Sequence, residues 1–290
     1  MKWRGRRQSE NIEDARGMRP GPVVGGGIGI LIMAMIIGFL GGDPRRFMQQ
    51  AQQRKQQEVG PAAAGGPPAE LSQRDKERGE FVATVLADSE DVWNKLFAQS
   101  KLQYEEPKLK LFTAQVNSGC GVASAAAGPF YCPADRKVYL DTAFFDQLEK
   151  QLNAPGDFAQ AYVVAHEVGH HVQNLLGKTA ELDKIRGRVP QAEYNRKSVM
   201  LELQADFYAG VMFHHAQRQK KILEAGDIEE GLRAASAIGD DTLQERSRGP
   251  GRANQESFTH GTSEQRVRWF MLGLETGDPA QGDTFNAAQL

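Results

Sequence analysis

Cysteine is nearly absent. Cys120 and Cys132 are the two found in 290 residues, too few for a four-ligand structural zinc site. Neither has a histidine close by in sequence, so thiol-protease chemistry is the weaker alternative here. A dominant charge is missing as well. The 35 Lys and Arg residues nearly balance the 37 Asp and Glu residues, for a net charge of −2. With no dense basic patch interleaved with aromatics, this balance argues against nucleic acid as a main partner. Internal repeats are lacking too.

One long stretch lacks charge altogether. Residues 20–42 hold no Asp, Glu, Lys or Arg, and their centre, Ile28 to Leu40, is apolar on every side. Six basic residues precede it (Lys2, Arg4, Arg6, Arg7, Arg16 and Arg19), and Arg45, Arg46, Arg54 and Lys55 follow. Length and flanks predict a transmembrane anchor with residues 1–19 as a cytoplasmic basic N-terminus. A cleaved signal peptide is the competing reading, but the glycines after Leu40 lead into Asp43 and Arg45 without an obvious cleavage site. Residues 43–78 read as a flexible linker, because Gly60 to Pro68 offers little to bury and breaks both helix and strand. Residues 79–290 then form one domain, expected in the periplasm or outside the cell, on a single-pass protein of the inner membrane. In that compartment Cys120 and Cys132 are expected to pair, closing a short loop worth ~3 kcal/mol in loop entropy.

Within that domain the run Ala165-His166-Glu167-Val168-Gly169-His170 carries the chemistry. On a helix, residues four apart share a face, so both imidazoles reach one ion. Glu167 is placed to take a proton from water at that ion, the pattern of a zinc metallopeptidase. A catalytic zinc site needs three protein ligands, and Glu202 in the run Leu201 to Asp206 supplies the third from a later helix. Asp206, one turn on, is expected to orient a ligand histidine through its outer nitrogen. His260, in a polar turn before a helix, is the candidate donor to a developing oxyanion, with Tyr208 the weaker one. His171, on another helix face from His170, reads as support for the ligands or as packing. His214 and His215 read as helix surface, with an accessory metal site as the alternative.

The periodicity predicts helices over 80–99 (with a break near Asp88), 158–176, 191–221, 228–238 and 263–275, and a short helix carrying Phe144, Phe145, Leu148 and Leu152. Asp227 with Glu230, and Thr262 with Gln265, read as capping boxes. Leu109 to Ala114 and Lys137 to Leu140 read as strands. Strands come early and helices late, so the fold class is α+β.

Further marks are Ser118-Gly119-Cys120-Gly121, Gly128 to Pro133, Asp135, Val138 to Asp141 and His260 to Phe270. Together with the motifs above they resemble the neutral zinc metallopeptidase family of bacterial membrane-anchored proteins, across essentially the whole chain. The resemblance implies a zincin-like domain with a small sheet and a helical active-site core, preceded by one transmembrane helix. It implies one Zn2+ per chain, with His166 and His170 as ligands, Glu167 as the catalytic residue, and a peptide or protein as substrate. The rival classes are a membrane-tethered scaffold that keeps zinc for stability and a zinc hydrolase acting on other carbonyls. An intact Glu167 argues against the scaffold, which has no use for that carboxylate.

Overall fold

The computed structural model describes residues 1–17 and 70–290. Its class is α+β, with a small mixed sheet against a larger group of helices. The first long helix, α1 (Gln73–Gln99), starts earlier than periodicity suggests, where the Ser72 hydroxyl accepts from the Asp75 amide at 3.2 Å. It also runs unbroken through Asp88. Asp88, Ser89 and Glu90 are buried, because the N-terminal segment lies on that face and pairs with the two carboxylates. Arg6 pairs with Asp88, Arg7 pairs with Glu90 at 3.1 Å, and the Ser9 hydroxyl donates to Glu90. A polar break in an apolar stripe here marks a docking partner rather than a helix end.

The same segment supplies β1 (Ile12–Asp14), which pairs in parallel with β2 (Lys108–Phe112). Next come the antiparallel hairpin of β3 (Gln115–Ser118) and β4 (Gly121–Ser124), then β5 (Phe130–Cys132) and β6 (Lys137–Asp141). The sheet order is β1-β2-β6-β5, with β2 and β6 parallel and β5 antiparallel to β6. The two strands legible in the sequence, β2 and β6, are the sheet's centre. The three- and four-residue strands around them are too short to show a period. The disulfide Cys120–Cys132 forms, and joins the β3–β4 turn to the end of β5.

The expectation of a membrane anchor is corrected. Among the described residues no helix is long and apolar enough to cross a membrane, and residues 20–42 lie outside those residues. Moreover β1 and β2 hydrogen-bond in one sheet, so residues 12–14 and 108–112 cannot stand on opposite sides of a bilayer. The transmembrane helix of the expected fold, the membrane-anchored character drawn from the resemblance, the membrane as a partner and the single-pass inner-membrane placement all lose their support.

After α2 (Phe144–Lys150) the helices form the core that holds the motifs: α3 (Asp157–Leu175), α4 (Lys178–Ile185), α5 (Gln191–Lys220), α6 (Asp227–Ala237), α7 (Asp240–Arg248) and α8 (Ser263–Thr276). Phe158, Tyr162, Phe207, Phe213 and Phe270 fill the space between them with almost no exposure. Three glycines set how closely the helices approach. A Cβ on Gly169 would lie 2.8 Å from the Ala205 carbonyl oxygen, where α3 crosses α5. Gly210 and Gly273 play the same part where α5 crosses α8, since a Cβ on either would run into the other helix's backbone. The capping box at Thr262 and Gln265 forms. The one at Asp227 does not, because Glu230 turns away to accept from the Phe158 amide at 3.1 Å at the start of α3.

Candidate metal centre and active site

The α3–α5 crossing brings the two motifs face to face. Glu202 presents one oxygen to His166 Nε2 at 3.2 Å and the other to His170 Nε2 at 3.5 Å. Donor atoms of His166, His170 and Glu202 all lie within 4.8 Å of one another. Two neutral-capable nitrogens and a carboxylate oxygen converging on one point are the donor set of a catalytic divalent metal site. The close helix approach at Gly169, the residue before His170, is what lets a glutamate from α5 reach both rings.

The electrostatics favour positive charge at that point. Burial opposes a charged His166, yet the charge and hydrogen bond of Asp206, with help from Glu202, lift its pKa to about 10. His170 is raised in the same way, since Glu202 outweighs burial. Burial alone would raise Glu202, but the neighbouring His170 and His260 hold it well below the usual carboxylate range. A pocket whose carboxylates draw protons onto both imidazoles suits a cation bound by those same atoms.

Behind His166 the helices build a closed network. Asp206 accepts from His166 Nδ1 at 2.8 Å and from the Tyr162 hydroxyl. Arg266, from α8, grips the same carboxylate with Nε at 2.8 Å and Nη2 at 2.9 Å. Its Nη1 donates to the Ile238 carbonyl at 3.3 Å. Burial would raise Asp206, but the charges of Arg266 and His166 bring it down to about 2. A carboxylate at Nδ1 fixes the tautomer that leaves Nε2 free for a metal.

Glu167 sits beside this set, largely buried, with no hydrogen bond or ion pair to its carboxylate among the described residues. His260 stands in the turn between α7 and α8, half-exposed and close enough to Glu202 for the two charges to be felt. Asp240 holds that turn. One oxygen accepts from the amides of Thr259, His260 and Gly261 at 2.7, 2.6 and 3.1 Å, and the other faces His260 Nδ1 at 3.3 Å.

Other histidines and the tyrosine fall elsewhere. Tyr208 packs edge-on against Trp93, away from this set, with a centroid distance of 5.5 Å. His171 points to the sheet, with Nε2 2.6 Å from the Glu105 carbonyl and Nδ1 3.1 Å from the Tyr131 hydroxyl. His214 and His215 reach the Leu274 carbonyl in the last turn of α8 and the Gly277 carbonyl just past it, each at 2.8 Å, so they close a helix end instead of holding an accessory metal. A second carboxylate cluster, Asp157, Asp227 and Glu230, lies around the Met1 ammonium, which is 3.2 Å from Asp227.

Sequence reading missed Arg266, Tyr162, Gln173 and Asp240. Arg266 did leave a signal. It shares the buried side of α8 with Trp269, Phe270 and Gly273. A charge at a core position of an apolar stripe implies a buried partner.

Comparison with known proteins agrees with this geometry. No solved structure matches the chain significantly. The chain is 43% identical over 295 residues to the protein called "Uncharacterized protein YpfJ" from Escherichia coli (strain K12), covering 98% of this chain and 99% of that one. It is 46% identical over 199 residues to "Uncharacterized protein Rv2575" from Mycobacterium tuberculosis (strain ATCC 25618 / H37Rv), covering 64% of this chain and 65% of that one. The model of the family described as "Putative neutral zinc metallopeptidase" matches residues 1–285. With His166, His170 and Glu202 converging as such an active site requires, the chain belongs to that zinc metallopeptidase family.

Proposed function

We propose that this protein hydrolyses peptide bonds in peptide or protein substrates, with one zinc ion held by His166, His170 and Glu202. The observation that carries the reading is the single carboxylate of Glu202 facing both Nε2 atoms, with Glu167, which has no hydrogen-bond partner among the described residues, next to His166 in the chain. A zinc ion bound there acts as a Lewis acid and makes water a better nucleophile at neutral pH.

The chain's own residues do the rest. Glu167 accepts a proton as the water oxygen attacks the carbonyl carbon, and returns it to the amine nitrogen as the C–N bond breaks. His260, held by Asp240 at the rim of the site, donates to the oxygen that gains charge. Asp206 and Arg266 keep His166 aimed. β5 is the sheet edge, and its free side offers an extended substrate main-chain partners.

The test compares wild type with Glu167→Gln on an unbiased peptide library, reading new termini by mass spectrometry. Wild type is expected to cut, to fall silent with a chelator and to recover with zinc. Glu167→Gln is expected to keep zinc and fold but make no cuts. Equal cleavage by the two proteins overturns the mechanism.

A further inference from the structure

We propose that a buried chain of two amides, Gln204 and Gln173, dictates which nitrogen of His170 binds the metal; the inference rests on the zinc-site reading above. Its direction is set far from the site. The Gly282 carbonyl, in the segment after α8, can only accept, and it lies 2.7 Å from Gln204 Nε2. Gln204 therefore turns its Oε1 towards Gln173, whose Nε2 lies 3.2 Å away. That same Nε2 also donates to the Leu201 carbonyl at 2.6 Å. Two acceptors at one end of Gln173 leave its Oε1 at the other, 2.9 Å from His170 Nδ1.

An amide oxygen accepts only, so Nδ1 of His170 must carry the hydrogen. Nε2, which faces Glu202, is then the nitrogen left for the metal, which would take the place of its proton. Flipping Gln173 would set its oxygen against the Leu201 carbonyl and the Gln204 oxygen. With Gln173 fully buried and Gln204 almost so, bulk solvent cannot relieve that clash of acceptors. The chain is thus a one-way polarity relay, anchored by a backbone carbonyl 78 residues from Gln204 in sequence.

The relay also ties the ligands together. Leu201 directly precedes Glu202, so Gln173 links the helix bearing His170 to the turn of α5 that presents the third ligand. The segment that sets the direction is itself fastened to α5, where the buried Thr284 hydroxyl donates to the Met200 carbonyl at 2.6 Å. Gln173 is a positioning residue: it touches neither substrate nor ion and acts through His170.

The experiment measures zinc affinity of the full chain by competition with a chromophoric chelator. Gln173→Leu is expected to bind zinc about 10–100-fold more weakly than wild type. Gln173→Glu, protonated on the oxygen that faces the Leu201 carbonyl, keeps both that donor and an acceptor opposite Nδ1, and is expected to bind more tightly than Gln173→Leu. Binding by Gln173→Leu within about twofold of a tight wild type overturns this inference alone, and equal weakness of the two variants overturns the acceptor role. A wild type that binds no zinc overturns the metal-site reading instead. A wild-type measurement stands even where a variant does not fold. Histidine 15N NMR of the zinc-loaded protein should show His170 with a hydrogen-bonded Nδ1–H and Nε2 on the metal, and coordination through Nδ1 overturns the proposal.

Discussion

Arg266 and Asp206 form a two-pronged ion pair directly behind His166, with Nε on one carboxylate oxygen at 2.8 Å and Nη2 on the other at 2.9 Å. Both side chains are essentially inaccessible to solvent, at 2% and 0% exposure. Such a pair adds little net stability over an apolar pair, but breaking it strands a buried charge.

Arg266→Met is therefore expected to cost about 3–5 kcal/mol in denaturant unfolding of the metal-free protein. The double variant Asp206→Leu with Arg266→Met should cost less than the single one if the carboxylate left without its guanidinium costs more than the acceptor that Tyr162 and His166 then lose. A double variant less stable than Arg266→Met would show that Asp206 matters more as the acceptor for Tyr162 and His166 than as the partner of Arg266.

The turn that carries His260 makes a different prediction. Asp240 takes three backbone amides and faces Nδ1, so the imidazole is positioned by its own turn, with no hydrogen bond to the three metal-facing residues among the described residues. His260→Ala is expected to retain zinc and lower kcat by about two to three powers of ten, the cost of one oxyanion donor. Elemental analysis alongside steady-state kinetics checks both halves. Loss of zinc in His260→Ala would place that residue among the ligands.

How much of this was legible depended on the range of the interaction. Helix periodicity and the four-residue spacing of His166 and His170 are local, so most of the helices and the ligand pair were readable, while the short α4 was not. Glu202 and Asp206 were expected because the chemistry demands a third ligand and an outer partner, and both face His166. The transmembrane reading failed because charge and hydropathy describe a segment alone. They do not show that residues 12–14 pair with a strand near residue 108. Short strands such as β5 owe their existence to neighbours rather than to pattern. Gln173, Asp240 and Arg266 are ordinary polar residues until the fold closes around them. The helix α7 was missed for a related reason, since its sequence is mostly polar and its start is fixed by contacts with the His260 turn.

Gly169 tests whether helix spacing builds the site. A methyl group there would press on the Ala205 carbonyl oxygen at 2.8 Å, and a backbone atom cannot swing aside as a side-chain tip does. Gly169→Ala is expected to push α3 from α5 and to cost about 1–3 kcal/mol. It should also weaken zinc binding, because Glu202 would no longer reach both rings. Retention of wild-type zinc affinity in a destabilised Gly169→Ala would separate packing from metal binding and disprove the link.

Acid should act on the Asp240 turn in a defined window. Burial tends to raise the Asp240 pKa, but its hydrogen bond and charge interaction with His260, joined by the backbone amides, leave it below the ordinary value of 3.8. A carboxylate whose folded pKa is depressed contributes stability that is fully present above the unfolded pKa. That contribution is lost as pH falls through the folded value. His260, raised in part by Asp240, adds to the difference as pH falls from neutral and is fully charged below about pH 5.5, so from there down to about pH 4 the wild type should exceed Asp240→Asn in stability by a constant margin, which should shrink below that. Urea unfolding of both proteins between about pH 7 and about pH 3 measures it. The asparagine cannot accept from three amides as a carboxylate does, so some difference should persist at low pH from lost hydrogen bonds alone. A margin that grows as the pH falls below about 4 would mean that Asp240 is raised in the folded protein, and that the turn is held by its backbone rather than by the charge.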